Sequence, residues 1–281
     1  MSSAHIHKKG FVPEPPQGCD LSKDRILLHC CCAPCSTAII EWMVDQGLRP
    51  GIFFSNSNIV PFNEYAVRCD ELRRYAAAHG LETIDDEYDH SAWLSFVRRL
   101  EIPTKPATVV RQAHQPVEAS HPTPFSELLE APIRIADMPE RGPRCLECFK
   151  FRLLRTACYA SAHGYRLLTT TLASSRWKDL AQVDTAGRWA CGIVNGLSAG
   201  DTSYAADVLS VGLAKYASPT SLPSVAASSP ATTLSQKYSE EVLWWNQNWR
   251  RGGLQERRNA LIKEWSMYNQ TFCGCEFSER H

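Results

Sequence analysis

The sequence predicts an α/β fold, with a mainly parallel sheet flanked by helices. Two observations carry this. Short apolar runs alternate with stretches of helical length and composition, the arrangement that stacks helices on the faces of a parallel sheet. Cysteines crowd directly after the first apolar run, at the carboxyl end of a strand, where ligands bind in such sheets.

The elements follow in order. Arg25-Ile-Leu-Leu-His29 reads as a buried strand. Ser36 is a candidate cap for a helix through Val44 that stops at Gly47. Gly51 to Phe54 is the second strand, followed by a loop over 55–61 rich in Asn and Ser. Asn63 to His79 is helical in composition and ends at Gly80. Glu82-Thr-Ile84 is the third strand. His90 to Leu100 is a helix with Trp93, Phe96, Val97 and Leu100 on one face. Cys148 to His163 returns to helical composition and stops at Gly164, before a fourth strand over Tyr165 to Thr169. The closing part, 241–281, is expected to be helical and carries Trp244, Trp245, Trp249 and Trp265 among arginines.

Three stretches break the pattern. Residues 1–23 are polar and proline-bearing and read as a flexible N-terminal tail. Prolines recur through about 102–137, which reads as an insertion with a short helix near Phe125 to Leu129. Residues 198–236 are dominated by Ser, Ala, Thr and Pro, a composition that buries too little apolar surface to fold alone and predicts a disordered surface loop. What remains is one catalytic domain over 24–281 carrying both insertions.

Composition narrows the function classes. The apolar fraction is 44% and the charged fraction 21%, as in soluble globular proteins. Formal net charge is zero, so any nucleic-acid contact must come from a local basic face. No run of about 18 apolar residues suggests a membrane span, and the N-terminus lacks the apolar core of a secretory signal. A cytoplasmic, reducing location is therefore expected. Twelve cysteines in such a chain point to metal or redox chemistry rather than disulfide staples.

Those cysteines fall into three groups and four singletons. Cys30, Cys31, Cys32 and Cys35 follow the first strand; thiolates there suit iron–sulfur clusters or zinc, and the amides of a helix start stabilise their charge. The bland alternative is a structural zinc site or buried thiols. Cys145-Leu-Glu-Cys148 is a CxxC, and with a remote pair it makes a four-thiolate site for zinc or for a cluster. Cys273-Gly-Cys275 can close only a small, strained, easily reduced disulfide; two free thiols in a frayed tail are the alternative. Cys19, Cys69, Cys158 and Cys191 stand alone, as small buried hydrophobes do. The stretch from Trp244 through Arg250 and Arg251 to Arg257 and Arg258 interleaves aromatic and basic residues, either for stacking single-stranded nucleic acid or as one face of an amphipathic helix. Arg176 and Lys178 are further candidates for phosphate contacts.

Taken together, His29 to Ser36 (HCCCAPCS), Phe53 to Arg68 (FFSNSNIVPFNEYAVR), Glu140 to Leu153 (ERGPRCLECFKFRL), Thr170 to Lys178 (TTLASSRWK), Trp245 to Gly253 (WNQNWRRGG) and Tyr268 to Ser278 (YNQTFCGCEFS) resemble the epoxyqueuosine reductases of the QueH family. The resemblance covers about 24–101, 137–197 and 237–279. It implies a fold similar to the nucleotide-binding (HUP/PP-loop-like) domain of tRNA thiolation enzymes. It implies reduction of the epoxide of epoxyqueuosine to queuosine at the wobble position of tRNA, with tRNA carrying a queuosine-type anticodon and an external electron donor as partners. Carried over residue by residue, it implies a [4Fe–4S] cluster on Cys31, Cys32, Cys145 and Cys148, and a redox-active pair at Cys273 and Cys275. A second mononuclear metal, iron or zinc, would touch Cys35. Cys30 departs from the apolar residue usual at its place. Arg176, Lys178, Trp245, Arg250 and Arg251 are the expected substrate contacts, and His29, Asp179 and Tyr268 are proton-donor candidates by type and location. A thioredoxin-like oxidoreductase built on Cys32 and Cys35, and a zinc-stabilised RNA-binding module, are the rival readings.

Overall fold

Why the first strand carries no polar alternation is explained by its place in the sheet. In the computed structural model, which describes residues 11, 13–101, 134–199, 201, 203, 211 and 241–278, β1 (Ile26–Cys30) is the central strand and all five of its residues are buried. It is flanked by β2 (Gly51–Phe54) and β4 (Leu167–Thr170), with β3 (Thr83–Asp85) and β5 (Leu243–Trp244) at the edges. The order is β3-β2-β1-β4-β5 and every pairing is parallel. Leu28 sits opposite Ile52, Leu27 opposite Leu168, and Leu168 opposite Trp244. A strand covered on both faces reads as a continuous apolar run, which is what ILLHC nearly is.

Six α-helices flank the sheet among the described residues: α1 (Ala33–Asp45), α2 (Phe62–Ala78), α3 (His90–Val97), α4 (Pro143–Ala162), α5 (Leu180–Ser198) and α6 (Leu254–Glu264). α1 packs on α2 and α6, while α4 packs on α5 and α3. A salt bridge ties α6 to α1: Arg257 Nε and Nη2 donate to the Glu41 carboxylate at 2.7 and 2.8 Å. The chain turns from one set of helices to the other between β1 and β4, the switch point at which a doubly wound sheet opens a crevice at its carboxyl end.

Two helices start earlier than the sequence suggests, and both shifts move cysteines. Pro34 occupies the first turn of α1, where its missing N–H costs nothing, so the cap falls on Cys32 rather than Ser36. The Ser36 hydroxyl instead donates back to the Cys32 carbonyl at 2.7 Å. Pro143 opens α4 in the same way, which brings Cys145 as well as Cys148 into the helix, three residues apart on one face.

The boundaries of the irregular stretches also need correction. The expected flexible tail does not hold for its described part. Phe11 packs edge-on against Trp42 and Trp249, with ring centroids 6.0 and 6.4 Å apart, and the Glu14 carbonyl accepts a 2.8 Å bond from Trp245 Nε1. Ile135, inside the first expected insertion, is buried in a 3-10 turn, and its carbonyl accepts from Arg144 at 2.7 Å. In the second, the buried Val211 offers its carbonyl to Arg155 at 2.7 Å. The short helix expected near Phe125 to Leu129 lies outside the described residues.

Candidate active site, a thiol-lined cavity

At the carboxyl end of β1 the chain must leave the sheet and start α1 within two residues. That turn aims the thiols of Cys31, Cys32 and Cys35 together, with their sulfurs all within 4.8 Å of one another. Cys31 and Cys32 Sγ are 3.9 Å apart. A tetrahedral ion with ~2.3 Å bonds to sulfur spaces its ligands by ~3.8 Å, so this trio has the spacing of a single bound ion. Thr171, just after β4, fixes the turn: its hydroxyl oxygen accepts from the Cys31 N–H at 3.2 Å.

The trio opens into a cavity. Cys145 and Cys148 line it from α4, and Cys273 and Cys275 from the C-terminal loop. All seven are free thiols. The C-terminal loop is held by its backbone: Val60 N–H donates to the Gly274 carbonyl at 2.9 Å, and Arg68 Nη1 donates to the Cys273 carbonyl at 2.9 Å. Gly274 has φ +100°, a left-handed conformation that glycine adopts without steric cost.

Cations balance the sulfur. Lys178 and the buried Arg152 also line the cavity, and Lys178 Nζ donates to Cys273 Sγ at 3.5 Å. The thiols are consequently unequal. Cys273 is held well below the ordinary thiol range by its hydrogen bond from Cys275 and by the charges of Lys178, Arg152 and Arg68. Cys275 is driven up by the same hydrogen bond and by burial. Hydrogen bonds from Cys32 and Cys35 hold Cys31 well below the usual range, while burial raises Cys32 and the Cys31 contact pushes Cys35 up to about 12. Burial, with Cys148 and Cys273 nearby, lifts Cys145 to about 11; Cys148 is also raised by burial. Burial disfavours charge on Lys178, but the sulfurs of Cys273 and Cys31 outweigh it and its pKa rises.

Several residues expected at the site are elsewhere. Trp245 is 1% exposed, with its indole N–H bonded to Glu14, so it has no free face for a base. Trp249 is fully buried as well. Arg250 points inward to the carbonyls of Ser175 and Lys178 and braces the loop that carries Lys178. Arg251 is exposed but does not line the cavity, and neither does Arg176, whose guanidinium lies over the Trp177 ring. Lys178 faces the thiols rather than the surface expected for a phosphate contact.

None of the three proton-donor candidates lines the cavity. Asp179 caps α5, accepting from Gln182 N–H at 3.0 Å. The Tyr268 hydroxyl donates to Glu64 at 2.9 Å. His29 is buried between strand ends: Nε2 contacts the Ser55 carbonyl at 3.1 Å and Nδ1 the Thr170 hydroxyl at 2.7 Å. That pattern makes Nε2 the donor and Nδ1 the acceptor. Burial, then Arg152, lowers its pKa to about 3. It is a neutral structural tether.

Other lining residues escaped the reading of the sequence. Trp177 is 58% exposed and lines the cavity, with its carbonyl accepting from Arg141 Nε at 2.9 Å. Asn58 and Gln270 line it too, and each has a buried side-chain oxygen with no hydrogen-bond partner among the described residues. Asn58 and Trp177 both lie in blocks that carry the family resemblance, and the asparagine-rich loop was a further signal for Asn58, but nothing in the spacing marked either side chain as facing the cavity.

Thiols from three remote stretches, cations against them and unpaired polar groups, all at the switch point of a parallel sheet, define a cysteine-centred α/β protein able to hold a metal. Comparison with known proteins sharpens that class. A family model described as "Epoxyqueuosine reductase QueH" matches residues 26–111, 109–198 and 219–281, and the chain belongs to this family, whose name denotes oxidoreductases. Proteins named "Epoxyqueuosine reductase QueH" from Histophilus somni and Haemophilus influenzae are each 28% identical over 257 residues, 92% of this chain and 73% and 72% of their own lengths. The one from Acinetobacter baylyi is 27% identical over 257 residues, 92% of this chain and 81% of its own.

Proposed function

We propose that this chain reduces the epoxide of epoxyqueuosine in tRNA to queuosine. The observation that carries the reading is the gathering of seven cysteines from β1–α1, α4 and the C-terminal loop around one cavity, in a chain belonging to the family that bears this name. The change is deoxygenation. Two electrons and two protons enter, both bonds to the bridging oxygen break, water leaves, and the two carbons become doubly bonded.

The donor set fits an iron–sulfur cluster, since soft thiolates surrounded by cations suit one. Cys31, Cys32, Cys145 and Cys148 would hold it, and when bound it would relay single electrons from an external donor. Cys35, the third sulfur beside Cys31 and Cys32, would then be left to touch a second, mononuclear ion, iron or zinc. Cys273 and Cys275 serve as a dithiol store of two electrons. Asn58 and Gln270 offer their unpaired oxygens to polar groups of the substrate. Arg141 and Arg258, the less buried arginines of the lining, favour the anionic RNA backbone, and Trp177 offers an open ring face to a base.

The test is to incubate anaerobically purified protein with epoxyqueuosine-containing tRNA and a reductant, then weigh the nucleosides. Loss of one oxygen atom from the modified base, abolished by Cys145→Ala, is the expected result. A colourless, zinc-loaded protein that binds tRNA and leaves the epoxide intact overturns the proposal in favour of an RNA-binding module.

A further inference from the structure

Deoxygenation needs two protons delivered inside the cavity, and the described lining narrows their source. Arginine does not release a proton at working pH. Glu140 lies on the exposed part of the lining. The hydroxyls of Ser175 and Thr271 are far weaker acids than a thiol or an ammonium, which leaves the thiols and Lys178. The lysine ammonium is directed at one sulfur of the terminal pair, 3.5 Å from Cys273. Arg68 clamps the same turn through the carbonyls of Cys273 and Phe272, at 2.9 and 3.4 Å, so the contact between loop and lysine is braced from α2 as well. The Lys178 carbonyl is in turn bound by Arg250 at 2.5 Å, which fixes the lysine from behind. Arg152 on α4, Arg68 on α2, and the thiols of Cys31, Cys35 and Cys275 are the other charged or titratable groups that bear on this contact. The pair is thus polarised: cations gather at Cys273, whereas the sulfurs of Cys273 and Cys148 bear on Cys275.

We infer that Lys178 is a catalytic residue of the reaction proposed above, holding Cys273 as the thiolate and giving its proton to the departing epoxide oxygen. The inference rests on that proposal. In the reduced pair Cys273 is a thiolate, Cys275 a thiol, and Lys178 stores the proton that Cys273 has released. As the sulfur–sulfur bond forms, two electrons pass to the substrate. The Cys275 proton and the Lys178 proton both go to the oxygen, which leaves as water while the carbon–carbon double bond forms. The external one-electron donor, acting twice, then cleaves the sulfur–sulfur bond, and two protons from solvent return, one to Cys275 and one to Lys178. With those two electrons and two protons the cycle balances, and the donor is its one co-reactant.

Two substitutions separate the two duties. Lys178→Arg keeps a positive charge beside Cys273 but cannot release a proton, and Lys178→Met removes both. The first readout is the rate of Cys273 alkylation by iodoacetamide at neutral pH, mapped by peptide mass in the anaerobic full-length protein. The second is single-turnover deoxygenation of the modified tRNA. Cys273 should alkylate at least ~10-fold more slowly in Lys178→Met and near the wild-type rate in Lys178→Arg, because thiolate fraction governs the reaction. Deoxygenation should fall at least ~100-fold in both, the low end of what a positioned acid contributes. Wild-type alkylation of Cys273 in Lys178→Met overturns the ion pair. Wild-type turnover in Lys178→Arg overturns the proton donor. Failure of the unsubstituted protein to deoxygenate sinks the parent reading and the proton transfer with it, while the alkylation rates still decide the ion pair.

Discussion

At the scale of single residues, burial decides what a polar side chain does. His29 follows an apolar run and precedes the cysteines, a position that invites a chemical role, yet it is fully buried and both ring nitrogens are occupied. Its folded pKa of about 3 lies below the ordinary 6.5. The unfolded chain therefore binds the extra proton first, so this contribution to stability is complete above pH 6.5 and is lost as pH falls toward 3. Urea unfolding between pH 6.5 and 4.5 should show His29→Gln with a shallower pH slope, by up to about 1.4 kcal/mol per pH unit, the value for one proton. Asp86 and Arg155 form a second buried device, each side chain 1% exposed. Arg155→Met leaves that carboxylate without its cation and should cost about 3–5 kcal/mol in denaturant unfolding. Lys178 is the reverse of His29: SSRWKD reads as a basic surface turn, and only the three-dimensional path turns the lysine in and the tryptophan out. Spacing along a loop carries no period from which to read that choice.

Among elements, the strands and helices were legible because periodicity and apolar runs report burial directly. β2 falls on the predicted residues, and β1, β3, α2 and α3 within a few. Helix starts were less so, since Pro34 and Pro143 each extend a helix toward the cysteines. α5 went unread between the fourth strand and the second insertion, and β5 was missed altogether. Two residues make no pattern, and tryptophans beside arginines look alike whether they face RNA or a core. Trp244 shows the outcome: its indole N–H donates to Asp184 on α5 at 2.8 Å and its ring lies against Gly187. A Cβ at Gly187 would come within 2.2 Å of that ring. Gly187→Ala should therefore destabilise the protein by about 1–3 kcal/mol, read as a lower denaturation midpoint with the count of reactive thiols unchanged after refolding. Trp245→Ala belongs with it and should cost about 3–5 kcal/mol of stability, as removal of a buried indole does.

For the whole molecule, the cysteine groups were legible as three separate clusters, and their convergence is a property of the topology. β1 lies in the centre of the sheet, α4 leads into the neighbouring β4, and the final loop returns over the switch point. The basic and aromatic residues read as substrate contacts fall mostly inside the fold or off the cavity, because neither zero net charge nor spacing along a loop reports which side chains line it. Trp177→Ala should weaken tRNA binding by about 1–3 kcal/mol in filter-binding measurements while leaving thermal stability unchanged, the opposite profile to Trp245→Ala.

The lengths of the outermost strands have a further consequence. β3 has three residues and β5 two, so neither margin of the sheet offers more than a few unpaired backbone groups for another chain to zip onto. Among the described residues, ladder extension, the common route by which sheet proteins stick to one another or capture an extended peptide, has little to hold at either side. The loops over the crevice, where the thiols gather, are the irregular surface that remains for such contacts among the described residues.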